Sequence, residues 1–289
     1  MSKKIIIFAA ILLACLNFFC WKEVFDLACK QYLKVDFLDV GQGDSAFIQT
    51  PDNHDILIDG GPDSSVLGKL SSLLPFWQKS IDLVILTHPE SDHMQGLLDV
   101  LQRYKADYIL WSGVKKSAPE YDAWLNVLAK QKKAGAKIIT AVAGQEIKAG
   151  NVSIDTIYPL KSLAGEDMKN TSNDTCVVSR LIFGKKSFLF TGDISSVAEK
   201  EIVDSGENVL SDILKVAHHG SKYSTSDIFL AAVEPKVAVI SVGAKNTYGH
   251  PTIEVLQRLA KFGIKIFRTD KNGDVDFISD GNSIKLLKN

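Results

Sequence analysis

The body of this 289-residue chain contains almost no cysteine. Of the four cysteines, Cys15, Cys20 and Cys29 lie in or just after an apolar N-terminal run, which leaves Cys176 alone in the remainder. A single thiol cannot form an internal disulfide framework. The stability of the body must therefore come from a packed hydrophobic core, for which the chain is long enough.

The chain also lacks any sizeable net charge, an internal repeat and a low-complexity stretch. Its 33 Lys and Arg residues nearly balance its 34 Asp and Glu residues, and the formal net charge is -1. No global basic field therefore draws the protein towards nucleic acid. A polyanionic substrate would have to be held by a local cluster of side chains or by bound cations.

One long hydrophobic run is present at the N-terminus. Residues 5–21 are apolar apart from Asn17, and about 20 apolar residues span a bilayer. Three interpretations stay open: an uncleaved membrane anchor, a lipoprotein or cleaved signal, and a buried core helix. Residues 12–15 loosely resemble a lipoprotein processing site, but the apolar run continues beyond Cys15, which favours the anchor.

The charges that flank this run bear on its orientation. Lys3 and Lys4 favour a cytoplasmic N-terminus with the body outside the cytoplasm, and Lys22 and Lys30 weaken that prediction. No linker divides the rest of the chain. The simplest division is an anchor or signal segment over residues 1–30 and one domain over residues 31–289.

Within the body, short apolar strands alternate with amphipathic helices. Strands are predicted at 35–40, 45–49, 56–59, 83–87, 137–140, 152–158, 177–183, 187–191, 213–216, 237–242 and 265–268, with a hairpin over 274–287. Helices are predicted at 65–74, 96–104, 120–133, 197–203 and 253–261. This mixture predicts an α/β (α+β) fold in which helices cover the sheets.

The strongest chemical signal is residues 87–93, Thr-His-Pro-Glu-Ser-Asp-His, directly after an apolar strand. Four side chains of this segment can bind a metal: His88, Glu90, Asp92 and His93. Imidazole and carboxylate are the ligands of Zn, Mn and Fe sites. A loop that only caps a helix needs one such residue, so the segment predicts a metal site.

Three further positions follow strands in the same way. Asp193 ends Thr-Gly-Asp, where a carboxylate can bridge two cations, although Gly-Asp alone is an ordinary turn. His218 and His219 are adjacent after another strand, a pattern that indicates metal ligands. Asp59 follows a third strand, where it would either orient the ligand histidines or cap a turn.

Five segments, taken in order, resemble one family. The segments are residues 39–45 (Asp-Val-Gly-Gln-Gly-Asp-Ser), 58–61 (Ile-Asp-Gly-Gly), 88–93, 191–193 and 218–221. The ordered set is similar to the metallo-β-lactamase-type domain of the competence protein ComEC, over essentially the whole body. The resemblance implies a four-layer αββα sandwich, with metals held by loops along one edge of two sheets.

The resemblance also implies a ligand set. It places His88 at a first metal, Asp92, His93 and His219 at a second, with His218 as the alternative to His219, and Asp193 between the two. Glu90, included in the predicted set, stands where the broad superfamily has histidine.

A third histidine for the first metal is missing, and a segment at Asn173 takes its place. Two divalent ions are expected, Zn or Mn, and this oxygen-rich ligand set makes Mn or Mg plausible.

The same resemblance implies roles around the metals. Asp92, His218 and His250 are the predicted catalytic residues. Asn173, Ser221 and Asn246 are predicted to line the pocket or contact the substrate. Four lysines in or near the motif loops would contact phosphates or form solvated surface: Lys215, Lys222, Lys245 and Lys271.

The predicted function is metal-dependent hydrolysis of a phosphodiester through metal-activated water, because bound metal lowers the pKa of water to about 7. The resemblance suggests DNA as the substrate, outside the cytoplasm, with the membrane as a further partner. One alternative is a hydrolase of a small phosphodiester such as a phosphorylcholine ester. The other is a non-catalytic DNA-uptake accessory with a vestigial metal site.

Overall fold

The computed structural model describes residues 3–28, 32–167 and 172–287. Cys29 and Lys30, which entered the sequence analysis, lie outside the described residues. Helix α1 covers Lys3–Ala28, and its portion Lys3–Lys22 is long and apolar enough to cross a membrane. None of that portion is buried against the body, which argues against a buried core helix. A signal sequence would have the same length and composition.

The body contains two sheets and seven further helices among its described residues. The strands β1 to β15 cover Leu33–Phe37, Ala46–Gln49, Asp55–Ile58, Ser80–Leu86, Lys105–Trp111, Lys137–Thr140, Glu146–Ala149, Val152–Tyr158, Val178–Phe183, Lys186–Phe190, Ile213–Lys215, Val237–Ile240, Lys265–Arg268, Val275–Ser279 and Ile284–Leu286. The helices α2 to α8 cover Ser65–Leu73, Ser91–Arg103, Pro119–Lys133, Ser196–Ser205, Asp227–Val233, Ile253–Lys261 and Thr269–Asn272.

The first sheet has the strand order β15-β14-β1-β2-β3-β4-β5-β6, and the second has the order β13-β12-β11-β10-β9-β8-β7. Buried side chains such as Phe37, Phe188 and Phe277 pack between the two sheets. A second cluster that includes Trp124 lies between the first sheet and helices α2 to α4. A third, around Phe229, lies beneath α5 to α7. The result is the predicted four-layer αββα sandwich.

Strand direction determines where the functional residues lie. The strands β3, β4 and β5 are parallel neighbours in the first sheet, and β10, β11 and β12 are parallel neighbours in the second. The carboxyl ends of parallel strands meet at the same edge of a sheet. Because the loops that follow β3, β4, β10 and β11 hold the predicted site residues, the topology gathers these residues at one end of the sandwich.

The structure corrects the sequence-based prediction at five elements. The strands β5 and β7 and the helices α6 and α8 were not predicted, and α3 begins at Ser91 rather than at residue 96. Alternating charged residues obscure β5, whose Ile109 and Leu110 are nevertheless buried. In α3 the buried residues His93, Met94 and Leu97 already follow the helical period. Asp92 and His93 therefore belong to the first turn of a helix, not to a loop.

Candidate metal centre

Side chains from both sheets converge at this end of the sandwich. They are held by the turn before β2, by the loops after β3, β4, β10 and β11, and by the first turn of α3. In chain order, they are Asp44, Asp59, His88, Asp92, His93, Asp193 and His219.

Two imidazoles face the carboxylate of Asp193. Nε2 of His93 lies 3.4 Å from Oδ1 of Asp193, and Nε2 of His219 lies 3.3 Å from Oδ2 of the same carboxylate. Nε2 of His219 is also 3.1 Å from Oδ2 of Asp92. The structure thus brings together four residues that the sequence analysis predicted to share a metal.

The other nitrogen of each ring has a fixed partner. Nδ1 of His93 lies 2.7 Å from Oδ2 of Asp59, and Thr87 donates both its N–H and its hydroxyl to the same carboxylate, at 2.8 and 2.7 Å. Nδ1 of His219 lies 2.9 Å from the carbonyl oxygen of Ser241. These contacts turn both Nε2 atoms towards Asp193, as the partners of metal-binding histidines usually do.

Asp44 lies behind the two rings. Ligand atoms of Asp44, His93, Asp193 and His219 all lie within 4.8 Å of one another. However, the carboxylate oxygens of Asp44 lie 3.3 Å from Nδ1 of His219 and 3.7 Å from Nδ1 of His93, and these nitrogens already have partners. The Nε2 atoms of both rings face Asp193, and that of His219 also faces Asp92, so Asp92 lies on the same side of the rings as Asp193 and Asp44 lies on the other.

A buried lysine is the partner of Asp44. The ammonium of Lys215 contacts Oδ2 of Asp44 and lies 3.2 Å from the carbonyl oxygen of Gly192 and 3.7 Å from Oδ1 of Asp193. Lys215 is only 3% exposed. The prediction that Lys215 could contact substrate phosphates is therefore wrong, because its charge is used inside the protein.

Orphaned polar atoms show that the residues fit a cation. Among the described residues, Nε2 of His88, Nε2 of His93 and Oδ1 of Asp193 are buried without a hydrogen-bond partner. Such atoms are rare and costly in a folded protein unless a ligand satisfies them. Imidazole nitrogens beside carboxylate oxygens are a donor set for Zn or Mn. The site is therefore able to bind divalent metal ions.

The charges of the site also suit a bound cation. Burial alone would lower the pKa of His93, but Asp193, Asp59 and Asp44 outweigh it and hold the pKa well above its ordinary value. The pKa of His219 is raised well above its ordinary value in the same way by Asp193 and Asp44. Burial would raise the pKa of Asp193, but His219 and His93 hold it well below the ordinary value. A divalent cation would supply the positive charge that two imidazolium protons supply here.

His88 differs from these two histidines. Burial, followed by the charge on His93, lowers the pKa of His88 to about 3. Its ring is therefore neutral at physiological pH, with Nδ1 beside the hydroxyl of Thr87 at 3.1 Å. Its ring centroid lies 4.3 Å from that of His93. His88 is thus available to the first metal of the predicted pair without having to lose a proton.

Two residues predicted near the first metal have other partners. The carboxylate of Glu90 forms an ion pair with Lys116 at 2.6 Å. The carboxamide of Asn173 lies 3.3 Å from Nδ1 of His218. These contacts would have to change before Glu90 could hold a metal or Asn173 could contact the substrate, and both roles stay predictions.

The backbone of the histidine pair is strained. His218 and His219 both have positive φ values, of 51° and 52°, a conformation that side chains other than glycine seldom adopt. The two left-handed residues turn the chain so that His219 is buried while the side chain of His218 stays 31% exposed. Strain of this kind persists where the surrounding structure enforces it, often at functional sites.

An open cavity of about 180 Å³ leads to the site, and its lining includes Asp92, Asp193, His218 and His250. The rings of His218 and His250 lie 5.6 Å apart.

Ser221 and Asn246 do not line this cavity in the described part of the chain. Ser221 is buried, with its hydroxyl 3.4 Å from the N–H of Tyr223. The Asn246 carboxamide donates to carbonyl oxygens of Gly243 and His250, which fixes the loop. Their contact with substrate stays a prediction.

Sequence reasoning gave no role to Asp44, and for Lys215 it left open contact with phosphates or a place in the solvated surface. A signal for Lys215 was present, because a lysine inside the apolar run Ile213–Val216 must find a buried partner. The partner itself could not be read from the sequence, since Asp44 lies in a turn of the other sheet.

Comparison with known proteins identifies a family. The family model of the metallo-beta-lactamase superfamily matches residues 38–244. ComE operon protein 3 of Bacillus subtilis (strain 168) is 33% identical over 264 residues, which cover 84% of this chain and 33% of that protein. Competence protein ComA of Neisseria gonorrhoeae is 31% identical over 242 residues, which cover 83% of this chain and 31% of that protein. The predicted resemblance to the ComEC type is confirmed.

A solved structure shows the same fold. The metallo-beta-lactamase fold protein YhfI from Bacillus subtilis superposes with a TM-score of 0.56 at 17% sequence identity, covering 86% of this chain and 99% of that protein. The present chain spans about a third of the length of the two curated relatives.

Proposed function

The chain belongs to the metallo-β-lactamase superfamily, and we propose that it is a membrane-anchored hydrolase that cleaves phosphodiester bonds of DNA with two divalent cations. The arrangement of Nε2 of His93 and Nε2 of His219 around the carboxylate of Asp193, with Asp92 beside His219, carries this proposal.

Different residues would hold the two metals. Asp92, His93 and His219 would hold one cation and His88 the other, with Asp193 between the two. When bound, such cations supply Lewis acidity for hydrolysis and neutralise the charge of a phosphodiester. Asp59 keeps His93 oriented through the 2.7 Å contact to Nδ1.

Two more histidines line the mouth of the cavity. His218 and His250 lie beside Asp193 and Asp92, where their rings can bind a phosphate oxygen or pass a proton to the leaving oxygen. Tyr248, which is exposed, stacks on His250 with ring centroids 5.9 Å apart. An aromatic ring at this place could support a base of single-stranded DNA.

DNA is supported as the substrate by the relatives, one of which is named a competence protein. The chain has a formal net charge of -1, so an anionic substrate would be attracted by the bound cations. The apolar helix α1 and the lysines Lys3 and Lys4 support an anchor with the body outside the cytoplasm. A lipoprotein or a secreted form is the alternative, and the mass of the mature N-terminus distinguishes these forms.

The test is a nuclease assay of the purified full chain with Mn²⁺ on single- and double-stranded DNA. We expect cleavage by the wild type and a loss of at least about 100-fold in Asp193→Asn, because one bridging carboxylate becomes neutral. The matched control is Asp122→Asn, at an exposed position of α4, which should retain full activity.

The same assay separates the alternatives. Cleavage of a phosphorylcholine ester without cleavage of DNA would favour a small-molecule phosphodiesterase. Stoichiometric metal binding without cleavage of any diester would contradict the proposed enzyme and favour a DNA-uptake accessory.

A further inference from the structure

The two ends of the sandwich have different surroundings. The metal centre lies at the end where β3, β4, β10 and β11 finish, and we call the opposite end the basal end. At the basal end the turns of the two sheets meet: the N–H of Asn151 donates to Asp52 at 2.8 Å, and the N–H of Lys185 donates to the carbonyl oxygen of Gly281 at 2.6 Å.

The N-terminal helix is connected to the basal end. Strand β1 is antiparallel to β2, and β2 is antiparallel to β3, so β1 and β3 run in the same direction. The first residue of β1, Leu33, therefore lies at the basal end, and helix α1 ends only a few residues earlier, at Ala28. A bilayer crossed by α1 would lie on the basal side of the body.

Two large aromatic side chains protrude from this end. Phe76 and Trp77, in the turn between α2 and β4, are 84% and 59% exposed. Their ring centroids lie 4.8 Å apart in an edge-to-face arrangement. Trp is enriched at the headgroup level of membranes, where its ring is in contact with both apolar and polar surroundings.

Basic side chains surround the aromatic pair. Lys79 and Lys105 are joined by a backbone hydrogen bond of 2.9 Å, and Lys137 pairs in register with Tyr108 of β5. We define the basal patch as Phe76 and Trp77 together with six exposed cations. The cations lie at the starts of β4 to β6 and at the ends of α3 and α4, and they are Lys79, Arg103, Lys105, Lys132, Lys133 and Lys137.

The charges of the basal patch are not neutralised by the protein. Within the described ranges, none of the six cations forms an ion pair. Asp107 is an exposed carboxylate among them, and Asp82 and Glu146 line the same cavity as Asp107. Lys and Arg clustered close to a membrane surface that contains anionic lipids are attracted by its negative potential.

We propose that the basal patch rests on the anionic headgroups of the bilayer that α1 crosses, with Phe76 and Trp77 inserted at headgroup level. The inference rests on the proposed anchoring by α1 and is independent of the proposed catalysis. Nucleic acid is the other polyanion that such a patch could bind. The bilayer is favoured because the patch lies at the end to which α1 connects, away from the metal centre, and includes an aromatic pair.

The test uses the full chain reconstituted in phosphatidylcholine vesicles with and without phosphatidylglycerol. The emission of Trp77 is obtained as the difference between the wild type and Trp77→Phe. With phosphatidylglycerol present, we expect quenching of this emission by a lipid-borne nitroxide and loss of its quenching by acrylamide. Quenching by acrylamide alone in both vesicles would overturn the proposal.

Matched charge reversals test whether the cations of the basal patch cause the docking. Lys105→Glu combined with Lys137→Glu should restore quenching of Trp77 by acrylamide. The control, Lys222→Glu combined with Lys245→Glu, reverses two exposed lysines near the metal centre and should behave as the wild type. In the Trp77→Phe background the emission comes from Trp21 and from the buried pair Trp111 and Trp124. Emission that is unchanged by the charge reversals in this background reports that the variants are folded.

Two further outcomes would contradict the proposal. Failure of the wild-type chain to float with the vesicles would overturn both the anchoring and the docking. Shielding of Trp77 by an added oligonucleotide, without lipid quenching, would show that the patch binds nucleic acid. A failed nuclease assay would leave the docking result unchanged, because no residue of the basal patch belongs to the metal centre.

Discussion

The ammonium of Lys215 contacts the carboxylate of Asp44 in the interior of the protein, behind the imidazoles of His93 and His219. The pair joins a turn of the first sheet to a strand of the second. It keeps a fixed positive charge beside Asp193, with Oδ1 of Asp193 at 3.7 Å from the ammonium. The protein therefore balances part of the negative charge of the site without a metal.

Removing one member of this pair should be costly. Lys215→Met leaves the Asp44 carboxylate buried without its partner, and we expect the free energy of unfolding to fall by about 3–5 kcal/mol. The double variant Asp44→Asn, Lys215→Met should recover part of this loss. Chemical unfolding with EDTA present measures both, and additive losses in the double variant would contradict the assignment of an interacting pair.

Asp59 should act through His93 rather than on the substrate. In Asp59→Asn the ring of His93 loses its carboxylate partner, and affinity for Mn²⁺ should fall by about 10–100-fold. Isothermal titration calorimetry of the purified chain measures this affinity without a substrate. Affinity equal to that of the wild type would mean that Asp59 serves only the turn that it closes with Thr87.

Gly96 should be needed for the position of the first turn of α3. A Cβ at Gly96 would overlap the carbonyl oxygen of Gly60. The N–H of Gly60 in turn donates to the carbonyl oxygen of His93 at 2.8 Å. We expect Gly96→Ala to lower the free energy of unfolding by about 1–3 kcal/mol and to weaken metal binding.

Gly68→Ala is the control, because a Cβ there meets nothing within 4 Å. It should be neutral or stabilise α2 by up to about 1 kcal/mol. Equal effects of the two substitutions would contradict the close approach.

Asp36 should make stability depend on pH. Burial raises the pKa of Asp36 to about 7, with a further contribution from Asp276 that Lys34 opposes. The folded state therefore holds a proton that the unfolded chain releases near pH 4. The stability from this group is fully present below about pH 4 and is lost as the pH rises to 7.

The variant Asp36→Asn should remove this dependence. At pH 7 its free energy of unfolding should exceed that of the wild type by about 1–3 kcal/mol, and the difference should shrink towards pH 5. Urea unfolding at both values, with EDTA in the buffer, measures it. A difference that does not change with pH would show that Asp36 is ionised in the folded protein.

The sequence predicted the convergence of the metal centre because of a general property of parallel strands. His88, Asp193 and His219 each come just after a buried strand, and such strand ends share one edge. Local sequence was sufficient for this prediction. The placement of Asp92 in a helix was missed because Pro89 indicates a break, although a carboxylate in the first turn stabilises a helix.

Contacts between the sheets could not be predicted in this way. Asp44 and Lys215 belong to different sheets and meet where the two sheets pack face to face. No local pattern specifies which turn of one sheet faces which strand of the other. The sequence likewise could not predict that the cations of the basal patch lie together, because Lys79, Lys105 and Lys137 lie at the starts of three different strands.

The origin of the ligands has a mechanical consequence. His88 and His93 belong to the half of the molecule built on the first sheet, whereas Asp193 and His219 belong to the other half. No ladder hydrogen bond joins the two sheets in the described part of the chain. A cation bound by both pairs would thus cross-link the two halves of the protein, and the melting temperature of the protein should climb with Mn²⁺ concentration. That climb would report occupancy even for a chain that never turns over a substrate.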